Sequence, residues 1–270
     1  MGYYEGKIAF ITGGSSGIGY AITRRMCLAG ADAAIFARTE KRLRDACETL
    51  NAELPPGRRV MAFPMDVRDE AGVARAVSEA VAQLGAPQIL VNNAGMAYPD
   101  YFEKIDSRIF DDTVQTNLYG PRHMTAAVLP HMRTGHIVNV SSVAGAVGIF
   151  GYTAYCASKF GLIGFSEALR GELKPRQIRV SVLCPPDTDT PQYHQENKTK
   201  PKETRAITKK ANLLSADRVA ANLLRQMAKG RFMIVPGAES NFIIAAQRIC
   251  PGLVRWIMDR DVKQAQKNGT

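Results

Sequence analysis

One stretch limits the folding choices of this chain more than any other: Ile11-Thr12-Gly13-Gly14-Ser15-Ser16-Gly17-Ile18-Gly19. An apolar run, Lys7–Ile11, leads into it, and a segment with helical spacing, Ile18–Ala29, leads out. Glycines between a strand and a helix let the backbone turn sharply and approach a ligand. The helix N-terminus beyond them offers free N–H groups and a partial positive charge, so a pyrophosphate is the expected occupant. The spacing is TGxxxGxG rather than GxGxxG, and no Lys-Ser/Thr pair follows as a P-loop requires.

The same strand-then-helix order repeats along the chain. Apolar runs at Ala33–Phe36, Arg59–Phe63, Ile89–Val91, His136–Val140, Arg179–Leu183 and Phe232–Val235 alternate with helical patterns. Those patterns fall at Glu40–Asn51, Glu70–Leu84, Ser107–Met132, Thr153–Leu173 and Ala216–Lys229, with Gly120-Pro121 expected to interrupt the third. Alternation of this kind predicts parallel strands joined by right-handed crossovers, and continuous apolar strands suit a sheet covered on both faces. The expected fold is α/β, a single doubly wound Rossmann-type domain over residues 1–270, and 46% hydrophobic residues supply its core. From Pro185 the chain turns polar, basic and proline-punctuated, which predicts an irregular substrate lid over about 185–212. An amphipathic C-terminal extension is expected over about 240–267.

A net charge of +10 raises the question of nucleic acid. The charge is spread over Arg38 to Arg44, Lys198 to Lys210 and Arg248 to Lys267, without interleaved aromatics or a helix-turn-helix pattern, so no nucleic-acid partner is expected. Five scattered cysteines without a CxxC pair predict free thiols and no zinc site, and the four histidines lack metal-ligand spacing. No secretory signal is expected from Met1–Thr12, and the longest uncharged stretch, Ile137–Ser158, is too polar to span a bilayer. A cytoplasmic protein is the expectation.

At the end of the second strand the sequence reads Ala37-Arg38, where a site preferring NAD usually places a carboxylate for the ribose hydroxyl. A guanidinium there pairs with a 2′-phosphate, so NADPH is the expected cofactor. Lys41 and Arg42 read as solvated helix-start charges. Tyr155 and Lys159 lie four residues apart, on one helix face. A phenol of ordinary pKa near 10 holds its proton too tightly for catalysis at neutrality; a nearby ammonium that lowers it by about three units supplies roughly 4 kcal/mol. Tyr155 is then expected to act as acid or base on a carbonyl/alcohol pair, with Ser142 bonding the same oxygen. Ser141 and Cys156 read as structural.

Taken together, Thr12-Gly13-x-x-x-Gly17-x-Gly19, Asp66, Asn92-Asn93-Ala94-Gly95, Asn117, Ser142, Tyr155-x-x-x-Lys159 and Pro185 resemble the short-chain dehydrogenase/reductase family over nearly the whole chain. The resemblance implies a seven-stranded parallel sheet and hydride transfer between a nicotinamide and a carbonyl/alcohol carbon. It makes Asn117, Ser142, Tyr155 and Lys159 the catalytic set, with Tyr155 as general acid and Asn117 supporting a water-linked proton relay through Lys159. Implied cofactor contacts are Gly13, Ser15, Ser16, Gly17, Ile18, Gly19, Arg38, Asp66, Val67, Asn93, Ala94, Gly95, Tyr155, Lys159, Pro185 and Thr188. Pairing into dimers or tetramers through residues 107–132 and 153–172 is also implied.

Pro186 stands where that family usually has glycine, which stiffens the start of the lid. The stretch Cys184-Pro185-Pro186-Asp187-Thr188-Asp189-Thr190-Pro191, with Glu196-Asn197-Lys198-Thr199-Lys200-Pro201 and Glu203-Thr204-Arg205 following, resembles the branch of the family that reduces the ketone of a long-chain aminoketone, 3-ketodihydrosphingosine, with NADPH. Asp187 or Asp189 then either pairs with the substrate ammonium or serves ordinary turn and cap chemistry. The C-terminal helix, with Leu253, Val254, Ile257, Met258 and Val262 at helical spacing among Arg255, Arg260 and Lys263, either rests on an anionic membrane or packs on protein. Two other functions fit the same residues: reduction of a hydroxysteroid, 3-oxoacyl thioester or xenobiotic ketone, and a non-catalytic NADP(H)-binding sensor.

Overall fold

The computed structural model describes residues 2–208 and 213–267. In chain order the strands are β1 (Ile8–Thr12), β2 (Asp32–Ala37), β3 (Val60–Pro64), β4 (Ile89–Asn92), β5 (Gly135–Val140), β6 (Ile178–Leu183), β7 (Thr188–Asp189), β8 (Leu214–Ser215) and β9 (Met233–Ile234). The helices are α1 (Gly17–Leu28), α2 (Glu40–Glu53), α3 (Glu70–Leu84), α4 (Ser107–Val114), α5 (Gly120–Val128), α6 (Thr153–Leu173), α7 (Pro191–Glu196), α8 (Lys202–Thr208), α9 (Ala216–Ala228), α10 (Ala238–Ile249) and α11 (Pro251–Lys267).

Seven strands form one parallel sheet in the order β3-β2-β1-β4-β5-β6-β9. Successive residues point to opposite faces, so Ile11 and Ile35 pack with Ile22, Leu43 and Leu223 beneath α1, α2 and α9. Phe10 and Phe36 turn the other way, to Phe63, Val77, Met124 and Leu169. Both faces are covered, which is why these strands read as unbroken apolar runs. Strand order reverses between β1 and β4, and the crevice at their carboxyl ends is where an open α/β sheet binds its ligand.

Two regions depart from the sequence expectation. The helical stretch after Ser107 is not cut at Gly120-Pro121; it loosens into a π-helical turn, Gln115–Tyr119, and α5 follows directly. Pro121 has no N–H to give the Asn117 carbonyl four residues back, and slipping the ladder by one residue, with the Gly120 N–H on the Gln115 carbonyl, absorbs the defect.

The lid, expected to be irregular, holds two short helices and a strand. Pro191 opens α7 and Pro201 immediately precedes α8, and proline's fixed φ suits a first turn as well as a loop. β7 pairs with β8, so Thr188 meets Leu214 and Asp189 meets Ser215. Residues 209–212, the end of the expected lid, lie outside the described residues.

The amphipathic C-terminal extension is built as two helices, α10 and α11, that meet at Cys250-Pro251. The α11 residues Val254, Met258 and Val262 are half-buried, α11 lies along α8, and Gln266 hydrogen-bonds Glu203. Phe242, Ile249, Leu253 and Trp256 remain exposed, Phe242 and Ile249 at 73% and 79%. Packing on the protein therefore takes one side of α11 and leaves an apolar face outward. No helix among the described residues is long and apolar enough to cross a membrane.

Candidate active site

The glycine loop crosses the carboxyl end of β1, with Gly13 at φ +67° and Gly17 at φ +55°, left-handed conformations that a side chain would strain. Thr12 Oγ1 accepts from the N–H groups of Asn93 and Ala94, and Asn93 Nδ2 donates back to the Thr12 and Gly13 carbonyls. These bonds tie the loop to the segment after β4. Gly19 lies beneath: a Cβ there would stand 2.3 Å from the Gly13 carbonyl oxygen and 2.4 Å from Asn93 Nδ2. Its close packing requires glycine there.

The residues present fit an anionic dinucleotide. Ser16 precedes α1 without a side-chain cap, and no acid occupies the first turn, so the helix N–H groups are left for an anion. Arg38 is exposed and, among the described residues, makes no hydrogen bond or ion pair, whereas Lys41 is held by Asp45 at 2.8 Å. Asp66 follows β3 beside Arg38. Burial pushes its carboxyl up, but hydrogen bonds from Arg68 outweigh that and hold it below the usual range. Arg68 also reaches Asp112 at 2.6 Å.

A cavity of about 850 Å³ begins at this loop and runs under the lid. Gly13, Ser16, Gly17, Ile18, Asn93, Ala94, Gly95, Ser142, Tyr155, Lys159, Pro185 and Thr188, all expected from the sequence, line it. Ser15, Arg38, Asp66, Val67 and Asn117 do not. Arg38, Asp66 and Val67 sit past the ends of β2 and β3, where the far end of an extended dinucleotide would lie, Arg38 exposed, Asp66 half-buried and Val67 buried. The Val67 carbonyl instead accepts from His123 Nδ1.

Ser142, Tyr155 and Lys159 converge in the cavity wall. Ser142, just past β5, hydrogen-bonds the Tyr155 phenol and accepts from the Ala144 N–H at 3.1 Å. Lys159 is 3% exposed, donates to the Val140 carbonyl at 2.8 Å, and holds its Nζ 5.5 Å from the centre of the Tyr155 ring. Burial pulls its pKa down to about 8. The expected lowering of Tyr155 does not occur: burial and then the Glu196 charge push the phenol well above its ordinary value, against the Ser142 hydrogen bond. Tyr155 is a protonated acid. Ser141 donates to the Lys159 carbonyl, a structural bond, as expected.

Asn117 is fully buried, with Nδ2 on the Met96 carbonyl and Ser158 Oγ and Oδ1 on the Met96 N–H. Ser158 Oγ in turn donates to the Tyr155 carbonyl. These bonds tie Asn117 to the Met96 segment and to α6 through Ser158. It flanks Gly95 with Lys159: a Cβ on Gly95 would lie 3.2 Å from Asn117 Oδ1 and 3.6 Å from Lys159 Nζ.

The lid residues sort differently from expectation. Asp189 is exposed and sits 2.8 Å from His194 Nε2, while Thr190 supplies the cap of α7 by accepting from the Tyr193 N–H. Asp187 faces Lys200 at 3.7 Å. The carboxylate that joins the catalytic end of the cavity is Glu196, which accepts from the Tyr152 hydroxyl at 2.7 Å and from Gln192 at 2.8 Å. Glu196 opens the Glu196–Pro201 stretch that carries the resemblance, but no motif gave it a role or marked Tyr152; forty-four positions separate the two, and the fold brings them together.

The profile of the short chain dehydrogenase family matches residues 7–201. The 3-ketodihydrosphingosine reductase of Bos taurus is 38% identical over 239 residues, covering 87% of this chain and 72% of its own length. The 3-dehydrosphinganine reductase of Danio rerio is 38% identical over 246 residues, covering 89% of this chain and 74% of its own. In three dimensions the chain is similar to a short chain dehydrogenase/reductase from Burkholderia phymatum solved in complex with NAD, with a TM-score of 0.83 over 94% of this chain and 96% of that one at 24% identity.

Proposed function

The chain belongs to the short-chain dehydrogenase/reductase family, an oxidoreductase with a nicotinamide-binding fold, and from that premise we propose that it reduces the 3-ketone of 3-ketodihydrosphingosine to dihydrosphingosine with NADPH, in sphingolipid synthesis. One observation carries the chemistry: a half-buried Tyr155 beside Ser142 and Lys159, opening onto the cavity that starts at the glycine loop. Two relatives named for this substrate supply the substrate class, and the cavity's Ile149, Ile207, Leu213, Leu214 and Ile243 offer an apolar wall for an alkyl chain.

The loop from Gly13 to Ile18, Asn93 to Gly95, Lys159 and Thr188 hold the cofactor, and Arg38 takes the 2′-phosphate. When bound, the nicotinamide supplies the hydride. Tyr155 gives its proton to the ketone oxygen as the carbon is reduced, and the high phenol pKa keeps that proton in place until a developing alkoxide takes it. Ser142 holds the same oxygen in line. Lys159, charged below about pH 8, sits beside the ring to stabilise the phenolate left behind. Asn117 keeps α6, and with it Tyr155, at its distance from the Met96 segment. The lid covers this centre, which strengthens every one of these interactions by excluding water.

Two finer readings accompany this. The outward face of α10 and α11, with Phe242, Ile249, Leu253 and Trp256 among Arg248, Arg255 and Lys263, rests on an anionic membrane surface in the cytoplasm where the lipid substrate partitions. Phe160 is exposed on α6, and the spaces beside Gly164 and Gly171 are open, a face suited to a second copy of the chain. Flotation with anionic liposomes and sedimentation of Gly164→Arg against the wild type check the two.

The deciding assay follows NADPH absorbance with 3-ketodihydrosphingosine in mixed micelles, beside NADH and a panel of neutral ketones and 3-oxoacyl thioesters. NADPH-selective turnover of the aminoketone is the expected result. Turnover only of another carbonyl keeps the Tyr155 chemistry and discards the substrate. NADPH binding with no turnover across the panel identifies a sensor.

A further inference from the structure

Glu196 occupies a position that the proposed reaction does not yet use. It ends α7 on the inner side of the lid, lines the same cavity as Tyr155, and its two oxygens each accept from one neutral donor, Tyr152 and Gln192. An ionised carboxylate has about four acceptor positions, so two remain. The rings of Tyr152 and Tyr155 stand 5.6 Å apart, which sets Glu196 one aromatic ring away from the proton donor.

The charges around it do not cancel locally. Asp187 and Glu196 are both carboxylates in the lid wall of the cavity, and Lys200, with a side chain 1% exposed, is the lysine set among them. Lys200 stands 3.7 Å from Asp187 and 4.6 Å from the centre of the Tyr193 ring, so it answers Asp187 and forms no ion pair with Glu196 among the described residues. Arg205 turns away, to the carbonyls of Lys200 and Asn197. Lys159 is on the sheet side, bound to the Val140 carbonyl. Asp187 Oδ2 and Lys200 Nζ, both buried, face each other at 3.7 Å and make no hydrogen bond. Glu196 is half-buried, and Lys200 and Lys159 reach it only as neighbouring charges without an ion pair, so a cation that joins it directly is favoured.

We propose that Glu196 is the specificity-determining residue for a substrate carrying an ammonium group next to its ketone, pairing with that ammonium while Tyr155 and Ser142 hold the carbonyl oxygen. The inference rests on the aminoketone reading of the cavity and assigns its recognition to Glu196 instead of Asp187 or Asp189. Tyr152 and Gln192 orient the carboxylate, so the neutral donors fix its geometry and leave its charge for the substrate.

The test compares Glu196→Gln with the wild type on 3-ketodihydrosphingosine and on a neutral long-chain 3-ketone lacking the amine, with NADPH affinity as the check on folding. Glutamine keeps the shape and removes the charge. Expected is a loss of at least about tenfold in kcat/KM for the aminoketone, carried mainly by KM, with the neutral ketone unchanged or faster and NADPH affinity retained. Dodecylamine, a bare long-chain ammonium, serves as a second probe: it inhibits the wild type more strongly than dodecanol, and the variant loses that preference. Equal loss on both ketones, or no loss on either, overturns the role of Glu196 while the aminoketone reading stands. A wild type that ignores the aminoketone and reduces the neutral ketone overturns the reading itself, and this inference with it.

Discussion

Tyr152 donates its hydroxyl to Glu196 at 2.7 Å, and that bond joins the residue just ahead of α6 to the last residue of α7. Because α6 carries Tyr155, the lid and the catalytic tyrosine are held to each other by one phenol. Tyr152→Phe removes the donor and leaves a half-buried carboxylate oxygen unpaired, which costs about 1–3 kcal/mol. Urea unfolding is expected to register that loss. Steady-state kinetics are expected to show a several-fold rise in KM for the aminoketone with NADPH affinity unchanged. A variant as stable as wild type, with the same KM, would show that the lid is held elsewhere.

Removal of the acid itself separates enzyme from sensor. Tyr155→Phe keeps the ring, which packs on Tyr152 in the cluster of Ala144, Tyr152 and Cys156, and deletes only the proton and its bond to Ser142. General-acid catalysis contributes about 10²–10⁴-fold, so kcat is expected to fall by that order. NADPH binding, followed by quenching of protein fluorescence, is expected to stay within a few-fold. Retained turnover would assign the proton to another group.

The proposed NADPH preference rests on one exposed side chain, Arg38. Arg38 has no hydrogen-bond or ion-pair partner among the described residues, and it follows β2 at the edge of the nucleotide site. A charge-assisted bond to phosphate is worth about 1.5–3 kcal/mol, so Arg38→Ala is expected to raise KM for NADPH by about 10- to 100-fold. KM for NADH is expected to move little. Equal changes for the two cofactors would place the 2′-phosphate away from Arg38.

The sheet was legible because its strands are buried on both faces: runs such as Ile89–Val91 and Ile137–Val140 have no polar alternation to mislead, and glycine or proline bounds them. The lid was not, because Pro191 and Pro201 mark a loop and a helix start with the same residue. At the site, spacing placed Tyr155 and Lys159 on one helix face but said nothing of how dry that face is. Burial, which no spacing encodes, decides both pKa directions and reverses the expected one for Tyr155. Glu196 falls in a stretch that carries the family resemblance, but the resemblance assigns it no role. Its meaning comes from the α7 turn that Thr190 caps, which aims residue 196 back at Tyr152.

Lys159 makes the burial argument measurable. Its ammonium is 3% exposed in the folded chain and its pKa there is about 8, against about 10.4 for a lysine in an unfolded chain. Between those values the unfolded chain binds more protons than the folded one, so this group makes stability rise with pH across that window. Below about pH 8 the folded protein bears the full cost of a buried ammonium, up to about 3 kcal/mol for a shift of this size; above about pH 10.4 the cost is gone. Lys159→Met carries no such charge. The unfolding free energy of the variant relative to wild type is therefore expected to be most favourable at pH 7 and to lose that advantage steadily up to pH 10. A difference that stays flat over this range would mean that Lys159 keeps an ordinary pKa, and with it enough contact with water to weaken its hold on the Tyr155 phenolate.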